Sequence, residues 1–273
     1  MKRLLFISVW ALFMLACNEG DEIPNDVEPD NSNLALSMEV DHTENLINDL
    51  VVVSVQNYAS MQEGRMFNPP SLPACATATL VVGQNSAELT LDFGSNGCSF
   101  QGYVLQGQIV MNWNGLPDAD QVLVQCELID FYVGTKQVQG NSSILYEIAN
   151  DNGNPQSTHS LNLTVIWPNG QQIHREGEKI REWIEGYGNT DNADNVYLIS
   201  GYWTSTFVNG NVYSYEVLNP LRREATCSHF VSGSMDVQRP VLSGVFDFGE
   251  GDCDNLATFT LTDGTVIDVV LDY

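Results

Sequence analysis

Catalysis and metal binding depend on a few residue types, of which histidine is the most versatile. The chain holds four histidines, and none has the spacing of a zinc site or a metalloprotease helix: His42, His159, His174 and His229. The sequence also has no G-x-S-x-G elbow, no phosphate-binding loop and no Rossmann glycine pattern. Enzymatic activity is therefore uncertain, and the sequence favours a protein without one.

Carboxylates are concentrated in the segment 173–186, which reads IHREGEKIREWIEG and alternates acidic with basic residues. A glycosidase uses two carboxylates that flank the scissile bond, so a secreted, surface-anchored hydrolase is the alternative function. Opposite charges on one strand face commonly form cross-strand pairs instead. We favour that interpretation for the glutamates of this segment: Glu176, Glu178, Glu182 and Glu185.

Two loops rich in aspartate and asparagine are candidate calcium sites. The first contains Asp191 and Asp194, and the second contains Asp252 and Asp254. Calcium requires six to eight oxygen ligands, and short acidic loops supply several of them. Neither loop has the EF-hand pattern, and such loops are more often plain turns. We therefore expect no cofactor, with calcium as the alternative that these loops leave open.

Exposed aromatic rings stack on sugars, although aromatic residues on strands more often form core or cross-strand pairs. Tyr187, which lies between two glycines, and Tyr202 are the two candidates for ligand stacking. With these residues, the sequence predicts a glycan or an outer-membrane protein as the partner.

The motif D-F-G-x-x-x-C occurs twice, ending at Cys98 and at Cys253, and a further cysteine precedes each copy. One hairpin fits between the cysteines of each copy, and a hairpin brings its ends within bonding distance. We therefore predict the disulfides Cys75–Cys98 and Cys227–Cys253, which an oxidising compartment permits. In each copy the phenylalanine should pack inward and the glycine should open a turn. Cys126 is left over, and we favour a buried inert thiol over a nucleophile.

The second copy also carries a resemblance to a known group of proteins. Cys227, FGEGDCDN at 248–255 and the preceding segment 219–221 resemble the C-terminal signature of an uncharacterised Bacteroidetes lipoprotein family. A G-x-x-x-x-G-x-I segment at 102–109 extends the similarity, which covers residues 75–273. The loop after the first copy lacks the Asp-Asn that follows the second. The resemblance implies an envelope lipoprotein and no particular activity.

Residues 1–17 read MKRLLFISVWALFMLAC and have the form of a lipoprotein signal peptide. Lys2 and Arg3 precede an apolar run that is too short to span a bilayer. The ending resembles a bacterial lipobox, which implies cleavage before Cys17 and acylation of this cysteine. The acidic residues at 19–22 resemble the export signal of Bacteroidetes surface lipoproteins. We expect a lipid anchor in the outer membrane, with the protein facing the cell exterior.

The chain is strongly acidic, with 10 lysines and arginines against 35 aspartates and glutamates and a formal net charge of −25. A general nucleic-acid binder is excluded, because no basic surface neutralises phosphates. Membrane contact should depend on the lipid and not on attraction to anionic headgroups.

Composition and hydrophobic periodicity divide the chain into four segments. Residues 1–17 are the signal, and the acidic stretch 18–40 is a flexible tether. Residues 41–64 have helical periodicity and should pack on the β domain, with Asp41 or Thr43 as the N-cap. Residues 65–273 alternate apolar and polar positions between turn signals, as strands do.

We therefore expect an all-β fold of antiparallel hairpins with one N-terminal helix and two Cys-closed hairpins at 75–98 and 227–253. A sandwich is favoured over an elongated twisted sheet. The apolar register of the hairpins around 209–211 and 262–264 indicates three-residue loops. Two pairings follow: Phe207 with Tyr213, and Phe259 with Ile267.

The predicted function is a non-enzymatic surface module that binds a glycan or an envelope protein.

Overall fold

A computed structural model describes residues 31–61, 72–114, 120–187, 192–240 and 243–271. The helix is α1 (Asn31–Met61), and a short 3₁₀ helix spans Asn192–Asp194. The strands are β1 (Thr77–Val82), β2 (Ser86–Asp92), β3 (Cys98–Phe100), β4 (Tyr103–Asn114), β5 (Gln121–Val133), β6 (Lys136–Glu147), β7 (Gln156–Ile166), β8 (Gln172–Glu185), β9 (Val196–Phe207), β10 (Val212–Glu224), β11 (Phe230–Gln238), β12 (Gly244–Glu250), β13 (Leu256–Leu261) and β14 (Val266–Val270).

The strands form one open antiparallel sheet, in which their order follows the sequence and β3 pairs with β4 beside the main path. The predicted all-β, antiparallel fold is confirmed. The favoured sandwich is wrong, because the described strands belong to one sheet, whose apolar face packs on α1 and not on a second sheet.

Side-chain alternation along each strand separates a buried face from an exposed one. In β5, Val122, Val124 and Cys126 are buried, whereas Leu123 between them is half exposed. Successive strand residues point to opposite faces, so every second residue joins the core. One apolar cluster connects α1 with strands from β2 to β13, and we call the α1 side the inner face.

The helix begins at Asn31, ten residues before the predicted start at 41. Residues 31–40, which were predicted to belong to the tether, are therefore helical. Neither predicted N-cap is at a helix start, since Asp41 and Thr43 lie within α1. Burial on the sheet stabilises this extension: Val40 is fully buried, in line with Ile47 and Leu50. The predicted signal peptide with Cys17, residues 18–30 and residues 62–64 lie outside the described residues.

Of the two predicted hairpin registers, one is confirmed and the other is wrong. Phe259 pairs with Ile267, and Gly264 has a φ of 88° at the end of its three-residue loop. In the other hairpin, Phe207 accepts a hydrogen bond from Gly210 and faces Asn211, not Tyr213. The loop spans 208–210, because its last position needs the left-handed backbone that glycine adopts.

Both predicted disulfides are confirmed, Cys75–Cys98 and Cys227–Cys253, as is the free, buried Cys126. The two D-F-G copies have the same local structure. In each, the glycine N–H donates to the aspartate Oδ1 at 2.8 Å. The phenylalanine of each copy is buried: Phe93 and Phe248.

The sheet curves around α1. Asp49 of the helix accepts a hydrogen bond from Gln101, next to β4, and pairs with Arg181 on β8. Three strands separate β4 from β8, a width of about 19 Å in a flat sheet. Glycines in the strands permit the bend: Gly177 has a φ of 146°, and a Cβ there would lie 2.3 Å from the Tyr202 carbonyl oxygen.

Candidate functional site

The two candidate stacking tyrosines lie on different sides of the sheet. Tyr202 is 59% exposed, and its strand neighbour Trp203 is buried on the inner face. Tyr187 contacts Trp183, whose ring also packs on Tyr197. This second cluster lies on the α1 side, because Arg181, which pairs with Asp49 of the helix, lies over the ring of Tyr197. The two tyrosines therefore do not form one platform.

Strand β8 separates its charges onto two faces. Arg175 is fully buried on the inner face, whereas the side chain of Glu176 is 62% exposed. The period of two places the basic residues of this strand toward α1 and most of its glutamates toward solvent. The predicted cross-strand pairing is therefore wrong for three of the four glutamates of β8: among the described residues, a lysine or arginine pairs only with Glu185, and this partner is Arg222 of β10.

The inner basic residues pair instead with four acidic residues of α1. We call these contacts the helix–sheet ion-pair network: Glu39–Lys136 (2.9 Å), Asp41–Arg175 (2.5 Å), Asp41–Lys179, Glu44–Arg175 (3.2 Å), Glu44–Lys179 (2.5 Å) and Asp49–Arg181 (2.6 Å). Asp41 and Glu44 are three residues apart and share one face of the helix, and both contact Arg175 and Lys179. The network fixes both the rotation and the axial position of α1.

Arg175 is the centre of this network. Its Nη2 donates to the backbone oxygen and the hydroxyl of Ser37, at 3.1 and 2.6 Å, and its Nε donates to Ser205 Oγ. The Ser37 hydroxyl also hydrogen-bonds the Tyr215 hydroxyl at 3.1 Å. Burial opposes the charge of Arg175, but the carboxylates of Asp41 and Glu44 raise its pKa, so the guanidinium stays charged.

The Asp41 carboxylate also stays charged. Burial by itself raises its pKa, but Arg175 and Lys179 overcome this effect and hold the pKa below its ordinary value. Lys179 additionally lies over the ring of Trp203, 4.2 Å from its centroid. Arg181 lies in the same way over Tyr197, at 4.1 Å, which places that aromatic cluster on the α1 side.

A cleft opens beside the helix. The closest backbone contacts of α1 are with β5–β8, which leaves the inner face of β9–β12 partly uncovered. The cleft has an empty volume of about 740 Å³, part of it open to solvent. Its sheet wall is aromatic and aliphatic: Trp203, Tyr215, Phe230, Met235, Val237, Phe246, Phe248 and Leu271. The helix contributes a polar wall with Ser37, Asp41, His42 and Asn45.

Arg239 lines the cleft from the turn after β11. Its guanidinium carbon lies 5.2 Å from the ring centre of Phe259 and 5.7 Å from that of Tyr213. No carboxylate of the described chain forms an ion pair with Arg239, and its Nε has no hydrogen-bond acceptor there. The indole N–H of buried Trp203 likewise has no acceptor among the described residues. Two unsatisfied donors therefore belong to the walls of one cleft.

A second, smaller pocket, with about 290 Å³ of empty space that is partly open to solvent, lies under the middle of α1, and most of its lining residues are polar. Asn48 of the helix and His159 of β7 line it with Lys179 and Arg181. His159 is buried, and its Nε2 has no partner in the described chain. Burial, together with the nearby Lys179 charge, lowers the pKa of His159 to about 3.

The calcium candidates do not come together. Asp191 lies outside the described residues, and Asp194 belongs to the short 3₁₀ helix. Asp252 and Asp254 act in a turn: the Asp254 N–H donates to the Asp252 backbone oxygen, and the Asp254 carboxylate accepts from Leu256 N–H. Within the described ranges, no three His, Cys, Asp or Glu residues are arranged to hold a metal ion.

Cys126 is not in a position to act as a nucleophile. The thiol is buried on the inner face of β5, and burial raises its pKa to about 12. Since the thiolate is the nucleophilic form, this cysteine is unreactive at neutral pH.

No protein family, no curated protein and no solved structure matches this chain. Within the described residues, no helix combines the length and apolar character that crossing a membrane requires.

The buried His159 makes a prediction about pH. Histidine has a pKa of about 6.5 in the unfolded chain. Below this pH the unfolded state therefore binds a proton at His159, whereas the ring stays neutral in the folded state. The stabilising effect of the neutral ring is complete above about pH 6.5 and is lost as the pH falls toward 3. Between pH 7 and pH 5 this amounts to on the order of 2 kcal/mol of unfolding free energy.

Urea unfolding of His159→Gln at the two pH values should show a clearly smaller loss of stability than the wild type. The control is His174→Gln, which removes a histidine on the opposite face and should keep the wild-type loss. A His159→Gln variant as acid-sensitive as the wild type would show that His159 is not held neutral by burial.

Proposed function

We propose that the protein is a non-enzymatic, lipid-anchored protein of the cell envelope that binds an apolar small molecule in the cleft between α1 and β9–β12. The observation that carries this proposal is the aromatic and aliphatic wall of the cleft. Concave sites with mainly apolar walls and a few polar groups are typical ligand sites. An exposed apolar concavity has no structural benefit of its own, since water in contact with it costs free energy.

The composition of the cleft favours an apolar ligand over the predicted glycan. Sugars require many hydrogen-bonding partners beside an aromatic platform, whereas the sheet wall here consists of side chains such as Val237, Phe246 and Leu271. The predicted platform residues, Tyr187 and Tyr202, lie on different sides of the sheet. A glycan or envelope-protein partner remains a prediction from sequence.

The alternative, a hydrolase with paired carboxylates, has less support. The described residues that line the cleft include one carboxylate, Asp41, and it is engaged by Arg175 and Lys179. A glycosidase needs a second carboxylate within about 5–10 Å across the substrate. The glutamates at 176 and 178 are on the other face of the sheet.

The location rests on the sequence before the described residues. The positive start, the short apolar run and the ending Leu15-Ala16-Cys17 support export and lipidation. The two disulfides support an oxidising compartment. Several acyl chains on Cys17 would anchor the protein stably, since a single chain gives only marginal binding.

Replacement of Cys17 tests the anchor. Cys17→Ala should abolish incorporation of radiolabelled palmitate in cells and release the protein from the membrane fraction. Cys126→Ala, which removes a buried thiol, should keep both the label and the membrane location. Continued labelling of Cys17→Ala would contradict the proposed anchor.

Filling the cleft tests the binding function. Met235 lies on the wall of the cleft, so Met235→Trp should displace a bound apolar molecule. We expect saturable binding of tritiated 1-dodecanol, a neutral probe, to the full lipidated chain in nanodiscs after subtraction of empty-disc counts. Met235→Trp should weaken this binding about tenfold or more, a change of about 1.4 kcal/mol.

The matched control is Leu218→Trp, which adds the same side chain at a position that is 51% exposed and outside the cleft. It should bind dodecanol like the wild type. Equal binding by the wild type and Met235→Trp, or no saturable binding at all, would overturn the proposed function.

A further inference from the structure

We propose that the ligand of the cleft is an amphipathic acid, whose carboxylate pairs with Arg239 while its hydrocarbon chain lies along the aromatic wall. A long-chain fatty acid has this chemistry. The inference rests on the proposed function and specifies the class of ligand.

Arg239 differs from the basic side chains that lie under the helix. Lys136, Arg175, Lys179 and Arg181 all form ion pairs with α1. Arg239 has no carboxylate partner in the described chain, although the protein holds 35 acidic residues. A guanidinium that has no counter-ion in partly apolar surroundings is a ready binding site for an anion.

The position of Arg239 is fixed without an ion pair. The rings of Phe259 and Tyr213 lie beside its guanidinium, at 5.2 and 5.7 Å from the guanidinium carbon. Its backbone N–H donates to Ser243 Oγ at 3.1 Å, and the same hydroxyl donates to the Arg239 carbonyl. The side chain is thus held at the edge of the cleft by its neighbours, with donor groups left for a ligand.

Unsatisfied polar atoms in the walls of the cleft point to the same ligand chemistry. Both the Nε of Arg239 and the indole N–H of Trp203 are donors without an acceptor in the described chain. Trp203 is only 4% exposed, so bulk water does not replace the missing acceptor of its N–H. A ligand that supplies oxygen acceptors suits these walls better than a pure hydrocarbon.

A carboxylate fits the guanidinium because two oxygens match its two parallel N–H groups. The charges around the cleft also permit an anion. Asp41 is the one carboxylate among the described residues of the walls, and Arg175 and Lys179 compensate it. Beyond Arg239, Phe246 and Phe248 continue the apolar wall, which a hydrocarbon chain would cover.

The experiment compares two probes of equal chain length, tritiated laurate and tritiated 1-dodecanol, on the full lipidated chain in nanodiscs at pH 8. After subtraction of empty-disc counts, the wild type should bind laurate more tightly than dodecanol. Arg239→Gln should weaken laurate binding about tenfold or more and leave dodecanol binding within about twofold. Arg222→Gln, which alters an arginine paired with Glu185 and Glu224 outside the cleft, should change neither affinity.

The outcomes separate the two proposals. Dodecanol binding without a preference for laurate, or equal laurate binding by the wild type and Arg239→Gln, overturns the carboxylate and leaves the cleft as an apolar site. Absence of cleft-dependent dodecanol binding overturns the proposed function as well. If Arg239→Gln does not fold, the preference of the wild type for laurate still decides the question, and Arg239→Lys should retain part of it.

Discussion

The burial of Arg175 is the constraint on which the arrangement of this protein depends. A guanidinium that is fully removed from water needs opposite charge and acceptors nearby, and the sheet itself supplies only the hydroxyl of Ser205. Asp41, Glu44 and Ser37 of α1 supply the rest. The helix is therefore held in one rotation and at one height on the sheet. Apolar packing by itself permits neighbouring registers, whereas an unpaired buried charge penalises each of them.

The placement of α1 explains the distribution of charge and space in the rest of the molecule. The basic residues of β8 face the helix, and the glutamates of the same strand face solvent, so one strand joins a buried network to an acidic outer surface. The helix covers β5–β8 most closely, and the apolar inner face of β9–β12 is left beside it as the cleft. Arg239 stands at this cleft without a carboxylate from the described chain, in contrast to the basic residues under the helix.

The parts of the fold that depend on local pattern were predictable from the sequence. Alternation marks the strands, and the repeated D-F-G-x-x-x-C motif with its upstream cysteines predicts both disulfides. The start of α1 was missed, because Glu39 is typical of a solvated tether and Asp41 of an N-cap unless their basic partners are known. Those partners lie about a hundred residues or more away in the chain, and a single sequence does not show such pairings. The cleft was missed for the same reason, since its walls belong to elements that only the position of the helix brings together.

Hydrogen exchange of the α1 amides tests most directly whether the network holds the helix as part of one cooperative structure. Exchange followed by mass spectrometry on the full chain at pH 7 reports the opening free energy of peptides from 40–54 and from the central strands β6–β9. If the ion pairs fix α1 as described, the helix amides will open only with the sheet, and the two sets of peptides will have the same protection. Helix peptides that exchange about a hundredfold faster than those of the central strands would show that α1 detaches on its own, which contradicts a permanent cleft beside it.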